Sequence, residues 1–163
     1  MKNYTQLACG VRFCIASFLI LITSAAFGQS EHHALKMVEA LHLGDNLSGM
    51  TYQVAKVTTT YRGVEAKIGQ QKADELLKAE IAVAVPKYQK QWNRNLAQAW
   101  APLMTSEEFD SLVAKKQKSP FASKFVSLQD KAGATMKANS ERLLRTVLTD
   151  VLTGVFKKSM PKK

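Results

Sequence analysis

The most regular pattern of apolar and polar positions lies late in the chain, between Met104 and Phe156. After residue 120 the apolar residues recur mostly every three or four positions, which places them on one face of a helix. The pattern predicts one long amphipathic helix over residues 120–156, with Gly133 as the expected place for a bend. Such a helix cannot bury its apolar face alone, so we expect the preceding segments to pack around it. The apolar positions are Phe121, Phe125, Leu128, Ala132, Met136, Leu143, Leu144, Val147, Leu148, Val151, Leu152, Val155 and Phe156.

A short helix is predicted just before the long one. Thr105 has the position of an N-cap and Glu108 lies three residues later, which is the spacing of a capping box. Met104 and Phe109 stand where a hydrophobic staple would form. The segment then reaches three lysines, which suit the negative end of a helix dipole. These are Lys115, Lys116 and Lys118.

The joint between the two helices is Ser119-Pro120. Proline disfavours helical geometry in the residue before it, so the short helix should end there. Proline is also favoured as the first residue of a helix, and serine is a good N-cap. The sequence therefore predicts Ser119 as the cap and Pro120 as the first residue of the long helix.

The apolar residues of the segment from residue 31 to residue 61 also follow a helical spacing. A helix is predicted over residues 31–43, ended by Gly44. Apolar positions over residues 47–61 are spaced three and four apart, although this stretch is rich in threonine and tyrosine, which prefer strands. We expect one helix that ends at Arg62-Gly63. A β-hairpin is the alternative.

Residues 64–103 return to a clear helical pattern that contains Pro86. This proline either starts a new helix or kinks a continuous one. The run 82–85 is apolar all round, which predicts a buried crossing point. Trp92 and Trp100 could be interface anchors, but their helical spacing favours the core.

Residues 1–28 have the features of a cleavable secretory signal peptide. Lys2 and Arg12 precede an uncharged apolar run, and Ala26-Phe27-Gly28 gives a small-x-small exit before Gln29. A second cleavage point, after Ala26, stays open. We expect residues 29–163 to form one helical domain in the periplasm, with no transmembrane segment after cleavage. Both cysteines precede residue 28, so the mature chain has neither a disulfide nor a thiol nucleophile.

Charge is the clearest guide to a partner. All 13 acidic residues and 21 of the 23 basic ones follow residue 28, so the mature chain has a net charge of +8. The lysines cluster at 115–118 and in the tail, and such clusters attract anionic surfaces. We expect contact with an anionic envelope surface or with another envelope or periplasmic protein. Nucleic acid is not expected as a partner of an exported protein. The candidate contact residues are Lys115, Lys116, Lys118, Lys157 and Lys158.

Candidate chemistry is sparse. The three histidines are His32, His33 and His42, and they do not have the spacing of a zinc site, so no metal or other cofactor is expected. The sequence has no Gly-x-Ser-x-Gly, His-Glu-x-x-His or Cys-x-x-Cys motif and no glycine-rich phosphate-binding loop. Carboxylates that could pair in space are Asp45, Asp74, Glu75, Glu80 and Glu107.

The late motifs resemble a known family. Met-Thr-Ser-Glu-Glu-Phe at residues 104–109 and Ser-Pro-x-Ala-x-Lys at 119–124 resemble the pattern of exported bacterial proteins grouped as domain of unknown function 2059. That pattern has a Thr-x-Glu-Glu-Leu helix start and an aromatic-rich Ser-Pro-x-Gly-x-Lys motif. Residues 116–118 stand where the family has aromatics, and Ala122 replaces its glycine. The resemblance implies an all-helical exported domain and no particular activity. The matching residues are Thr105, Glu107, Glu108, Ser119, Pro120 and Lys124.

These patterns together predict an all-α protein. It should be a single bundle of about five to six helices with a long C-terminal helix, preceded by a signal peptide. We expect a periplasmic binding or envelope-associated protein without catalytic activity. The alternatives are an inhibitor or immunity protein against a periplasmic toxin, and an envelope hydrolase that uses surface carboxylates.

Overall fold

The computed structural model describes residues 23–160, with side chains from residue 29. Most of the predicted signal peptide and the last three residues therefore lie outside the described part. Every regular element within it is helical. In chain order these elements are α1 Thr23–Ala40, α2 Leu47–Lys56, α3 Thr59–Ile68, α4 Gln70–Trp100, α5 Ser106–Lys115, a 3₁₀ turn Lys116–Lys118 and α6 Ala122–Ser159.

The two long helices, α4 and α6, form the centre of the bundle and pack against each other in opposite directions. Asn95 of α4 donates to Ser140 Oγ of α6 at 3.1 Å. Fifteen residues earlier in α4, the carboxylate of Glu80 lies against Gly154 and pairs with Lys158 of α6 at 2.5 Å. The four shorter helices cover this pair, as the sequence pattern predicted for the long C-terminal helix.

The core has two apolar clusters along the α4–α6 pair. One cluster joins α2 and α3 to the first part of α4 and the last part of α6, where Val147, Val151 and Val155 are fully buried. The other joins α1 and α5 to the opposite ends of the same two helices, around Phe109 and Trp100. Leu96 contacts both clusters. Trp92 and Trp100 are both buried, so the prediction that they are core residues is confirmed.

The apolar stripe of α6 is interrupted by a polar residue. Between Met136 and Leu143 the buried position is Ser140, whereas the residues before it, Ala138 and Asn139, are exposed. Asn95 satisfies the buried serine hydroxyl. Phe156, predicted to be part of the apolar face, is 47% exposed. The helix continues without a break through Gly133.

The end of α1 differs from the prediction. The helix ends at Ala40, and His42 has a left-handed backbone with φ 56°. Leu43 N–H donates to Val38 O at 3.0 Å, and His42 N–H donates to Glu39 O at 3.2 Å, which is a Schellman motif. Gly44 was predicted to end this helix, but in the structure it allows the side chain of Asn93 to approach the backbone closely. A Cβ there would lie 2.0 Å from Asn93 Oδ1.

The predicted single helix over residues 47–61 is two helices, and the hairpin alternative is wrong. Thr58 has an extended backbone, and its hydroxyl accepts a hydrogen bond from Tyr61 N–H at 3.2 Å. This N-cap begins α3 and separates it from α2. The predicted exit at Arg62-Gly63 is also wrong, because α3 continues to Ile68 and ends at Gly69, where φ is 84°.

Pro86 lies inside α4, which is continuous from Gln70 to Trp100. The missing N–H of a proline leaves one carbonyl without its helical partner. Pro86 and Ala82 are both exposed, so water can satisfy that carbonyl. The run 82–85 is only half buried, because Val83 is 59% exposed. The prediction of a crossing point buried all round is therefore wrong.

Candidate functional site

The joint between α5 and α6 positions the lysines that the sequence singled out. At its start, Thr105 Oγ1 accepts from Glu108 N–H at 3.4 Å, and the carboxylate of Glu108 accepts from Thr105 N–H at 3.0 Å. The predicted capping box is therefore present. It fixes where α5 begins, and the helix ends ten residues later, at Lys115.

Lys124 belongs to the same joint. Its Nζ lies 2.7 Å from both carboxylate oxygens of Glu108 and ties the first turn of α6 to the first turn of α5. Burial would raise the pKa of Glu108, but the hydrogen bonds and charge of Lys124 and the backbone bond from Thr105 outweigh it, so the pKa is lowered. Lys124 is therefore engaged in holding two helices together.

Ser119 and Pro120 turn the chain between the two helices. The Ser119 hydroxyl is buried, shares a 2.9 Å hydrogen bond with Ser111 Oγ and accepts from Phe121 N–H at 3.2 Å. Ala122 N–H donates to Ser119 O at 3.1 Å, which closes a turn around Pro120. The prediction of Pro120 as the first helical residue is wrong, because this turn delays the start of α6 to Ala122.

Lys115, Lys116 and Lys118 are all exposed at the end of α5 and in the 3₁₀ turn that follows. Lys116 has φ 50° and ψ −125°, an unfavourable backbone for a residue with a side chain. Residues of this kind cost about 1–3 kcal/mol and cluster at functional sites. None of the three lysines forms an ion pair within the described part of the chain.

An apolar groove lies beside these lysines. Its volume is about 740 Å³. The floor comes from the turn after α1, from α5 and from the first turns of α6, and the lysines form one side. The lining residues are Leu41, Leu43, Leu112, Ala114, Lys115, Lys116, Gln117, Lys118, Ala122, Phe125 and Val126.

The second pair of candidate lysines, Lys157 and Lys158, lies at the far end of α6. A helix of 38 residues is about 57 Å long, so the structure does not bring the two lysine groups together. Lys158 is also paired with Glu80, whose side chain is only 12% exposed. The two groups therefore differ in setting. Among the described residues the first has no ion pair and lies beside a groove, whereas Lys158 of the second is held in an ion pair.

The structure also shows a polar network that sequence reasoning missed. Asp74 of α4 accepts hydrogen bonds from Tyr52 Oη at 2.9 Å and from Tyr61 Oη at 3.0 Å, and pairs with Lys56 at 3.2 Å. Lys78 is also near, at 3.5 Å. The network connects α2, α3 and α4 and extends from the fully buried Tyr61 to the partly exposed Asp74 and Lys56.

The pKa values in this network follow from the contacts. Burial would raise the pKa of Asp74, but hydrogen bonds from Tyr52, Tyr61 and Lys56 outweigh it and lower the pKa to about 2. Burial and the bond to Asp74 raise the pKa of Tyr61 to about 12. The bond to Asp74 also raises the pKa of Lys56. The carboxylate therefore stays ionised and the other two stay protonated near neutral pH.

The other candidate groups are dispersed. His33 pairs with Asp110 at 2.9 Å between α1 and α5, and His42 pairs with Asp45 on the surface at 3.2 Å. Across residues 23–160, no three or more histidine, cysteine or acidic side chains are grouped so that they could hold a metal ion. None of the described helices combines the length and the apolarity required to cross a membrane.

Comparisons of the chain with protein-family models, with curated proteins and with solved structures give no match. The resemblance to domain of unknown function 2059 therefore stays a prediction from the motifs.

Proposed function

We propose that this protein is an exported, periplasmic binding protein that associates with an anionic envelope surface and does not catalyse a reaction. Lys115, Lys116 and Lys118 are its contact residues. The observation that carries the proposal is their setting: three exposed lysines on one short segment, without ion pairs in the described structure. A cation without an acidic partner keeps its full attraction for an anionic surface.

The position of Lys158 and Lys124 supports the choice of this segment. Lys158 is held by Glu80, and Lys124 is held by Glu108. Their charges are partly compensated within the protein. The predicted contact set therefore narrows to the end of α5, with Lys157 as a separate exposed cation at the other end of α6.

The settings of the candidate carboxylates support binding over hydrolysis. A general acid needs a pKa near the working pH. The pKa of Asp74 is about 2 because three donors surround it, and the pKa of Glu107 is lowered by hydrogen bonds at the start of α5. Glu80 is paired with Lys158. These carboxylates suit structural roles.

Vesicle binding tests the proposal. Protein isolated from its native envelope is mixed with vesicles that contain phosphatidylglycerol or only phosphatidylcholine, and the bound fraction is measured by flotation. We expect binding to the anionic vesicles at about 0.01 M salt and release at about 1 M, because the Debye length falls from about 30 to 3 Å. Absence of binding at low salt would overturn the proposal.

A matched pair of variants localises the contact. The triple substitution K115Q/K116Q/K118Q should weaken binding by roughly 100-fold, since each lysine near an anionic surface contributes about 1 kcal/mol. The control K87Q/K90Q/K137Q removes the same charge from exposed positions on α4 and α6. Equal loss in the two variants would show that net charge, not this segment, drives binding.

A further inference from the structure

The groove beside the lysines has two features that indicate the chemistry of a ligand. Its floor is apolar, with Leu41, Leu43, Leu112 and Phe125 contributed by three separate elements. Among the described residues its charged lining residues are all lysines, and none of its lining side chains is acidic. A polar ligand would leave the floor unused, and an uncharged apolar ligand would leave the lysines unused.

The groove is supported by the core beneath it. Phe125 stacks on the buried Trp100 with ring centroids 4.3 Å apart and an angle of 16° between the rings. The indole therefore fixes the orientation of the phenyl ring that forms part of the floor. On the outer side Val126 is 62% exposed, which leaves apolar surface in water next to three cations. A ligand that covers Val126 would remove this surface from water.

We propose that this groove binds one long-chain carboxylate, with the alkyl chain on the apolar floor and the carboxylate at Lys115, Lys116 and Lys118. The inference rests on the proposed function, because it assigns the anionic group to the same lysines. The groove volume of about 740 Å³ lies within the range of about 300–1,000 Å³ that is usual for small-molecule sites. The positive charge of the lysines favours a carboxylate, and the apolar floor favours a long alkyl chain.

Calorimetric titration tests this directly. Delipidated protein from its native envelope is titrated with dodecanoate below its micelle concentration, and with butyrate and dodecyltrimethylammonium as ligands that lack the chain or the negative charge. We expect that, of these three ligands, only dodecanoate binds. Equal binding of dodecyltrimethylammonium would overturn the proposal, because the lysines would then not discriminate between a negative and a positive head group. The indole fluorescence of Trp100, which lies against Phe125, gives a second readout.

Two exposed valines provide matched variants. Val126 in α6 lines the groove and is 62% exposed, whereas Val83 in α4 is 59% exposed and is not a lining residue. The substitution V126E should weaken dodecanoate binding by about 10-fold or more, because it adds a negative charge where the chain lies. The substitution V83E should leave binding unchanged. Equal affinities in the two variants would overturn the proposal.

The vesicle assay on the same proteins separates this inference from the proposed function. V126E protein that still binds anionic vesicles but not dodecanoate supports the groove as a ligand site. Wild-type protein that binds vesicles but not dodecanoate overturns the ligand and leaves the surface contact in place. Dodecanoate binding without vesicle binding supports the groove and overturns the surface role of the lysines.

Discussion

Asp74 is the residue whose surroundings depart most from what the sequence indicates. The sequence indicates only that it is one of several carboxylates that could pair in space, whereas in the structure it accepts hydrogen bonds from Tyr52 and Tyr61 and pairs with Lys56. In one continuous helix Tyr52 and Tyr61, nine residues apart, would face opposite sides, at about 100° per residue. Only the break at Thr58 lets both hydroxyls reach one carboxylate, so the network could not be predicted without that break.

The pKa of Asp74 predicts how stability depends on pH. Because the pKa is lowered from 3.8 to about 2 in the folded protein, the unfolded chain takes up this proton first as pH falls. The stabilisation from ionised Asp74 is therefore complete above about pH 4 and is lost as pH falls towards 2. We expect D74N to be less stable than wild type at pH 7 by about 1–3 kcal/mol, since hydrogen bonds to a charged group are lost.

Urea unfolding at pH 7, 4 and 2.5 measures this effect. The difference in free energy of unfolding between wild type and D74N should shrink between pH 4 and pH 2.5. The neighbouring exposed carboxylate Glu75 gives the control, and E75Q should differ from wild type by less than about 0.5 kcal/mol. A difference between wild type and D74N that is the same at all three pH values would contradict the assignment.

At the scale of helices, the sequence predicts which segments are helical better than where they end. The periodic spacing of apolar residues identified the long C-terminal helix and the short capped helix before it. The ends depend on contacts that lie far away in the sequence. Gly44, for example, is packed against Asn93 of α4, and the left-handed residue that follows the end of α1 is His42. Such contacts leave no local signal in the chain.

Two glycines in α6 give opposite expectations for the same change. A Cβ at Gly154 would lie 2.0 Å from Glu80 Oε2, so in G154A the Glu80 side chain has to shift from the position in which it pairs with Lys158. We expect a loss of about 1–3 kcal/mol in the free energy of unfolding. At Gly133 a Cβ would meet no atom of the described residues within 4 Å. Since alanine is the better helix former, G133A should gain about 0.5–1 kcal/mol.

Chemical denaturation of the two variants checks this pair. Both changes replace glycine by alanine inside the same helix, so differences in intrinsic helix preference cancel. If G154A were as stable as G133A, the close approach of α4 and α6 at this point would be wrong.

At the scale of the whole molecule, the all-helical class was predictable because apolar residues recur at helical spacing from residue 31 onwards. The division of the core into two clusters was not. In α6 the boundary lies between Ala132 and Met136, which belong to one continuous helical spacing of apolar residues, so no local signal marks it. The lysine cluster was predictable from composition, but the groove beside it was not, because its floor joins residues more than eighty positions apart.

The predicted processing also concerns the whole chain. We expect the protein isolated from its native envelope to begin at Gln29, since Ala26 and Gly28 are the small residues that signal peptidase requires. Intact-mass measurement distinguishes this start from one at Phe27 and from the full chain of 18.0 kDa. The substitution G28L should block cleavage before Gln29, whereas F27L, at the position that tolerates any residue, should not. A full-length mass for wild type would contradict the signal peptide.

The two contacts between α4 and α6 have a consequence for how this chain can change. Glu80 and Asn95 are 15 residues apart in α4, and their partners Ser140 and Gly154 are 14 residues apart in α6. At about 1.5 Å per residue the two spacings agree to within about 2 Å. One inserted residue between the contacts would rotate one of them by about 100° and misalign the axial register. Insertions are therefore expected to accumulate in the turns, where the helices do not have to stay in step.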